Sequence, residues 1–174
     1  MEFNKTLALR QSVRKFTDEQ ITEEQTKTIV EAANAAPACM GQYDHLHLTV
    51  VQKPEILAQI NAAFQKAVGD PNVQVTYGAP TVIYVSCKNE DEDIIKGCNA
   101  GVVMENMLLE AADLGLGAVY LFGVSQVLFA NEEIAKLLQI PEGFRTVSAI
   151  AVGTSADALQ ERIPGTDKIS MTTL

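Results

Sequence analysis

The sequence predicts an α+β layered fold, in which helices pack on a mainly antiparallel or mixed central sheet. Helical periodicity dominates the start of the chain, and short apolar segments typical of strands follow it. Between these strands, the longest helical pattern covers about 92–114, and from residue 100 to residue 114 it has almost no polar face, which is typical of a helix buried on nearly all sides. We expect this segment to be the central helix of the domain or of a dimer interface.

Periodicity, proline and glycine set the predicted boundaries of the elements. Thr22 begins a capping-box spacing, Pro54 suits a first helical turn, and Gly115 suits a helix end. The predicted helices cover 4–11, 23–35, 54–68, 92–114, 125–130 and 132–138. The predicted strands cover 45–52, 81–86, 118–122 and 146–152, and 168–172 could add an edge strand.

Composition narrows the class of protein. The 174 residues are 47% hydrophobic, enough for a sizeable core, and we expect a single domain over residues 1–174. With 22 acidic and 13 basic residues, the net charge of −9 argues against nucleic acid or an anionic membrane as the main partner. The sequence has no membrane-spanning run and no signal layout, and its three cysteines are scattered, so we expect a cytoplasmic location.

Basic residues are concentrated at the start of this acidic chain. Residues 1–16 contain four cations and one acidic residue, and in the basic segment (10–16) two arginines, Arg10 and Arg14, flank Ser12. If the segment is extended, these three side chains project to one side; if it is helical, the arginines are i,i+4 neighbours. Either arrangement suits a phosphate or carboxylate, because guanidinium offers paired donors and a permanent charge. The alternatives are a solvated basic turn and ion pairs with nearby carboxylates.

Two common kinds of site are not supported by the motifs. Gly115 and Gly117 begin a GxGxxG pattern, but Tyr120 stands at the third glycine, and the pattern follows a helix and precedes a strand. A dinucleotide-binding turn needs the opposite order, so we exclude it. A metal site is not expected, because no third well-spaced ligand accompanies His45 and His47.

A series of short motifs occurs in one order along nearly the whole chain. The motifs lie at 10–16, 36–38, 49–51, 77–80, 106–112, 114–123 and 149–153, with Arg162 beyond them. Taken in this order, they resemble the FMN-dependent nitroreductase family, in one of its shorter and less characterised branches.

The resemblance implies an α+β homodimer that binds FMN at its interface, with the 92–114 helix between the subunits. It also implies a set of cofactor contacts. Arg10, Ser12 and Arg14 match contacts to the ribityl chain and phosphate, with Gln11 beside them in the cofactor site, and Arg162 matches a second phosphate-side cation. Three positions match the backbone at the N5 edge: Leu121, Phe122 and Gly123. The loop from the other subunit is matched by Pro37, Ala38 and Cys39, and Asn72 falls near a position that contacts the pyrimidine.

The same resemblance implies an oxidoreductase that passes hydride from NAD(P)H through flavin N5 to a small-molecule acceptor such as a nitroaromatic, a quinone or a flavin. Because the flavin carries the chemistry, no side chain is assigned as acid, base or nucleophile. Two positions depart from the commoner family pattern: Gly41 replaces an Asn that often contacts FMN, and Phe122 replaces a frequent Glu. These departures favour one alternative, a non-enzymatic flavin-binding or redox-sensing protein on the same fold. A third reading is an acidic interaction module without a cofactor.

Overall fold

Four antiparallel strands form the sheet, in the spatial order β1-β2-β4-β3. The computed structural model describes residues 2–123, 131–163, 165 and 168–174. The predicted α+β class is confirmed, and all pairings between the described strands are antiparallel. The strands are β1 (Leu46–Val51), β2 (Thr81–Lys88), β3 (Gly117–Tyr120) and β4 (Phe144–Gly153).

The helices of the described residues begin and end close to the predicted boundaries. They are α1 (Phe3–Leu9), α2 (Glu23–Asn34), α3 (Pro54–Val68), α4 (Asp93–Asp113) and α5 (Glu132–Leu137). The predicted helix at 125–130 lies outside the described residues. The predicted edge strand at 168–172 is wrong, because these residues pair with no strand in the described part of the chain.

Local capping signals explain why several helix boundaries were predictable. The Gln25 N–H donates to Thr22 Oγ1 at 3.1 Å, and the Thr22 N–H donates to Gln25 Oε1 at 2.8 Å, which completes the capping box of α2. After α4, Gly115 adopts φ +73°, a left-handed conformation that glycine enters without steric cost.

Strand β2 is apolar over almost its whole length because helices cover both faces of the sheet. On one face, Ile83 and Val85 belong to a core shared with α2 and α4; on the other, Val82 and Tyr84 belong to a core shared with α3 and α5. Successive side chains of a strand point to opposite faces, so a central strand between two helical layers has no polar face. This burial also raises the pKa of the Tyr84 phenol.

Helix α4 buries one face and leaves a stripe of the other open. Val103, Met107 and Ala111 face the core that α4 shares with α2 and the sheet. Burial on nearly all sides was predicted for residues 100–114, and of these only Gly101 and Glu105 are exposed in the single chain; the rest of the open stripe lies nearer the start of the helix. Glycine, cysteine and isoleucine occupy much of the open stripe, so the sequence pattern could not separate it from the core face. The stripe consists of Ile94, Gly97, Cys98, Gly101 and Glu105.

Among the described residues, no helix combines the length and apolar character that crossing a membrane requires.

Candidate functional site

The basic segment is extended, as the first of the two conformational alternatives predicted. The chain leaves α1 at Arg10 and runs parallel to β3, where the Val13 N–H donates to the Ala118 carbonyl at 3.0 Å. Because side chains alternate along extended backbone, Val13 is buried while Ser12 and Arg14 are exposed on the other side.

Gly117 fixes how closely this segment approaches β3. A Cβ atom at Gly117 would lie 2.9 Å from each of the two methyl carbons of Val13, closer than packed carbon atoms can be. The glycine therefore makes room for the buried side chain that holds the basic segment in place. Its role is packing, since its backbone is not left-handed.

The arginines of the predicted site are not neutralised by neighbouring carboxylates. Within the part of the chain that the structure describes, Arg10, Arg14 and Arg162 form no ion pair, whereas Arg145 pairs with Asp93. The alternative of structural ion pairs at the basic segment thus finds no support, although the chain has an excess of acidic residues.

Arg162 joins the basic segment from the far end of the chain. Its guanidinium donates to the Arg10 carbonyl, and its backbone N–H donates to the Ala8 carbonyl at 2.9 Å. Arg10 and Arg162, with Lys168, line a hollow of about 710 Å³. No acidic side chain is among the described residues around this hollow, so its charge suits an anion.

Arg10 and Ser12 also line a larger groove of about 800 Å³ between α4 and β4. The aromatic rings of Tyr120 and Phe122 border the groove, with centroids 6.1 Å apart, and Phe122 is 58% exposed. The groove therefore places an apolar, partly aromatic wall beside the cationic hollow. This combination suits a ligand with a flat apolar part and an anionic tail.

Arg14 stacks on Tyr77, a residue outside the predicted set of site residues. Its guanidinium carbon lies 5.9 Å from the centre of the Tyr77 ring, within range of a cation–π contact. Tyr77 and Gly78 both have positive φ, +55° and +74°, so a tight turn brings the ring to the arginine. Asn72, in the same loop, is exposed and lines neither the groove nor the cationic hollow.

The backbone after β3 is open where the predicted N5 contacts lie. Leu121 is buried, so its side chain belongs to the core. Its backbone N–H donates to the Ala149 carbonyl at 2.8 Å. Phe122 and Gly123 are exposed, and a Cβ atom at Gly123 would find no atom within 4 Å. A ligand can therefore approach the backbone closely at Gly123.

Pro37, Ala38 and Cys39 do not line the groove of their own chain. They lead into the loop before β1, where the Cys39 N–H donates to Asn99 Oδ1 of α4 at 2.9 Å. A contact of these three residues with the site of a second copy stays a prediction.

Both histidines contact neighbouring side chains, and one of the three cysteines is buried. The nitrogen Nδ1 of His45 lies 2.7 Å from Asp91 Oδ1, and the His47 ring meets the Phe144 ring edge-on. Cys39 and Cys98 are exposed, whereas burial, with a contribution from the Asp91 charge, raises the pKa of Cys87 to about 12. The Cys87 thiol is therefore protonated at neutral pH and unsuited to nucleophilic chemistry.

Comparison with known proteins gives one consistent result. The family model described as "Nitroreductase family" matches residues 7–154. A protein from Methanothermobacter thermautotrophicus, named as an NADH dehydrogenase/NAD(P)H nitroreductase, is 30% identical over 161 residues, which cover 90% of this chain and 79% of that protein. A nitroreductase from Bacteroides fragilis with bound FMN has a TM-score of 0.84 at 24% identity, covering 99% of this chain and 100% of that one. An FMN-dependent nitroreductase from Clostridium difficile has a TM-score of 0.81 at 25% identity, covering 98% and 99%.

Proposed function

The chain belongs to the nitroreductase family, and on this premise we propose that it is an FMN-dependent oxidoreductase that uses NAD(P)H. The observation that carries the proposal is the meeting of Arg10, Arg162 and Lys168 around one hollow that lacks acidic side chains in its described lining. A phosphate monoester has about two negative charges at neutral pH and matches such a set of donors. FMN ends in a group of this kind.

The other predicted contacts complete the proposed cofactor site. Ser12 and Arg14, with Gln11 next to Ser12, would hold the ribityl chain beside the phosphate cations. Tyr120 and Phe122 would border the ring system, for which they provide aromatic surface. The residues proposed to approach the ring by backbone or from nearby loops are Leu121, Gly123 and Asn72, together with Pro37, Ala38 and Cys39 of the second copy.

FMN, when bound, supplies the hydride-transfer chemistry at its N5 atom. The protein's own contribution would be placement: Arg10 and Arg162 would hold the anionic end, and the exposed backbone at Gly123 would admit the ring edge. Tyr120 and Phe122 would shield one side of the bound ring system from water. The electron acceptor that we propose is a small molecule such as a nitroaromatic, a quinone or a flavin.

One observation favours a second candidate, a flavin-binding protein without turnover. Phe122 presents an exposed apolar ring at the position where the commoner family pattern has a Glu, so the site has no carboxylate there. Catalysis would then depend on the backbone alone at this edge. The two candidates differ in whether reduced nicotinamide is consumed.

The proposal is tested by the absorbance of the purified protein and by turnover. We expect a flavin spectrum, as isolated or after incubation with FMN, and steady oxidation of NADH or NADPH when a quinone or nitroaromatic is added. Bound flavin without oxidation of either nucleotide would favour the second candidate. A protein that stays colourless after incubation with FMN would contradict both.

We also propose that a second copy covers the exposed stripe of α4. In the single chain, Cβ atoms built at Gly97 and Gly101 meet no atom within 4 Å, so the helix backbone is accessible to a closely packed partner. Ile94, 71% exposed on the same stripe, gains from burial in such a contact. The stripe also borders the groove that holds the proposed FMN site.

We expect Gly101→Arg to convert a dimer into monomers and to remove FMN with it, because a long charged side chain would stand in the contact. Light scattering coupled to size-exclusion chromatography measures the mass, and flavin absorbance measures the cofactor. Ala58→Arg is the matched control, since Ala58 is an exposed residue of α3, away from this stripe. A wild-type protein that is monomeric while saturated with FMN would refute the dimer.

A further inference from the structure

The loop 37–45, between α2 and β1, has a conformation that its own sequence does not favour. It contains two short 3₁₀ turns, and Met40 and Gly41 follow each other with φ of +55° and +70°. The left-handed region is unfavourable for a residue with a side chain, and the Met40 side chain is 86% exposed, so packing does not compensate. Contacts from outside the loop must therefore hold it.

Asn99 of α4 provides the contact at the beginning of the loop. Its side chain is buried, with only 3% of the residue exposed, and its Oδ1 accepts the Cys39 N–H at 2.9 Å. Cys39 is the first residue of a 3₁₀ turn, where a backbone N–H has no partner within the turn itself. Asn99 thus satisfies a donor that the loop cannot satisfy alone.

Further contacts hold the rest of the loop to its surroundings. The Tyr43 hydroxyl donates to the Ala36 carbonyl at 3.1 Å, which closes the loop onto the end of α2. At the other end, His45 lies 2.7 Å from Asp91, with 14% and 9% of the two side chains exposed. The Tyr43 bond anchors the chain just before Pro37 and the His45 contact anchors the end of the loop, whereas the Asn99 bond ties the backbone directly after Ala38 to α4.

We propose that Asn99 is a positioning residue for the cofactor site of the second copy. It holds the backbone of Cys39, and with it Pro37 and Ala38, in the arrangement that meets FMN across the dimer. The inference rests on the proposed function, in which these three residues contact the cofactor in trans. Because Asn99 lies on the same helix as the proposed dimer contact, one rigid element sets both the position of the second copy and that of the loop.

Loss of the Asn99 acceptor would lower the fraction of molecules whose loop 37–45 has the conformation that contacts FMN in the second copy. The apparent Kd rises in inverse proportion to that fraction. We expect Asn99→Leu, which keeps the size of the side chain but removes the acceptor, to raise the Kd for FMN by about tenfold. Asn99→Asp keeps an acceptor at the same place, and we expect its Kd to be within about threefold of the wild type.

Asn106→Leu is the matched control. Asn106 lies on the same helix, and its side chain also makes a single hydrogen bond to a backbone group, the Ala32 carbonyl of α2 at 3.0 Å. We expect this variant to lower the Tm without changing the Kd for FMN. A fall in FMN affinity of equal size in Asn106→Leu and Asn99→Leu would show a general structural effect and overturn the inference.

The same hydrogen bond can be removed from its other side if Asn99→Leu does not fold. Cys39→Pro lacks the N–H donor, and Ala38 already has the extended conformation that precedes proline, with ψ 142°. We expect the same rise in Kd from this change. Normal FMN affinity in Cys39→Pro would overturn the inference. Failure of the wild-type protein to bind FMN would instead overturn the proposed function itself.

A mixed dimer tests whether the loop acts in trans. One chain has Arg10→Ala and the other Asn99→Leu, with different affinity tags so that the mixed species can be isolated. If the loop serves the second copy, both lesions fall on one site, and half of the sites bind FMN with wild-type affinity. If each loop serves its own chain, every site has one lesion and no site keeps wild-type affinity, which would overturn the proposal.

Discussion

Replacing Arg10 and Arg162 together by alanine is expected to abolish most FMN binding. Each cation can make charge-assisted hydrogen bonds to the phosphate, and such a bond contributes about 1.5–3 kcal/mol. Loss of both should raise the Kd by about 100-fold or more. Fluorescence titration with FMN measures the change. A variant with less than about threefold loss would show that the phosphate does not lie between these residues.

The control for this double variant removes two other cations. Lys5→Ala with Lys15→Ala changes the net charge by the same amount, and both lysines are exposed near the same end of the chain. Neither lysine lines the cationic hollow or the larger groove. Long-range attraction of the anionic ligand would fall equally in the two double variants, so any difference between them measures direct contact.

Gly117→Ala is expected to reduce both stability and FMN affinity. The added methyl group would lie 2.9 Å from the Val13 side chain, and overpacking of this kind costs about 1–3 kcal/mol. The basic segment would have to move away from β3 to relieve the contact, and Ser12 and Arg14 would move with it. Chemical denaturation measures the free energy of unfolding, and flavin titration measures the affinity.

Val13→Ala should partly rescue this variant. It removes the two methyl carbons 2.9 Å from the new Cβ atom but keeps the Cβ atom of residue 13 at 3.0 Å, so Gly117→Ala should cost less stability in the Val13→Ala background than in the wild type. If Gly117→Ala costs the same whether residue 13 is Val or Ala, the glycine is not required by this contact.

The elements that were predictable from the sequence have local signals. The capping box at Thr22 and the left-handed Gly115 lie within a few residues of the boundaries they set, so spacing alone was sufficient. The basic segment had no such signal. Its extended form depends on pairing with Ala118, a contact between residues distant in sequence, and periodicity carries no information about it.

The unpredicted parts of the site depend on contacts distant in sequence. Tyr77 reaches Arg14 only because a turn of two positive-φ residues ends the loop before β2, and the spacing of the two residues does not indicate this.

The exposed stripe of α4 was missed for a different reason: small and apolar residues occupy both core faces and contact faces between subunits. The segment at 168–172 has the composition of a strand but no strand beside it among the residues that the structure describes.

The hydrogen bonds from Arg162 to Ala8 and Arg10 join the first and the last parts of the chain. A ligand held between these two parts of the chain can bind only after both have folded. Binding of the proposed cofactor is therefore coupled to folding of the whole molecule. At a free concentration 100 times the Kd, such a ligand adds about 2.7 kcal/mol to the free energy of unfolding. Inside a cell, the supply of FMN would then govern how much of the protein escapes proteolysis, and its abundance would follow flavin availability.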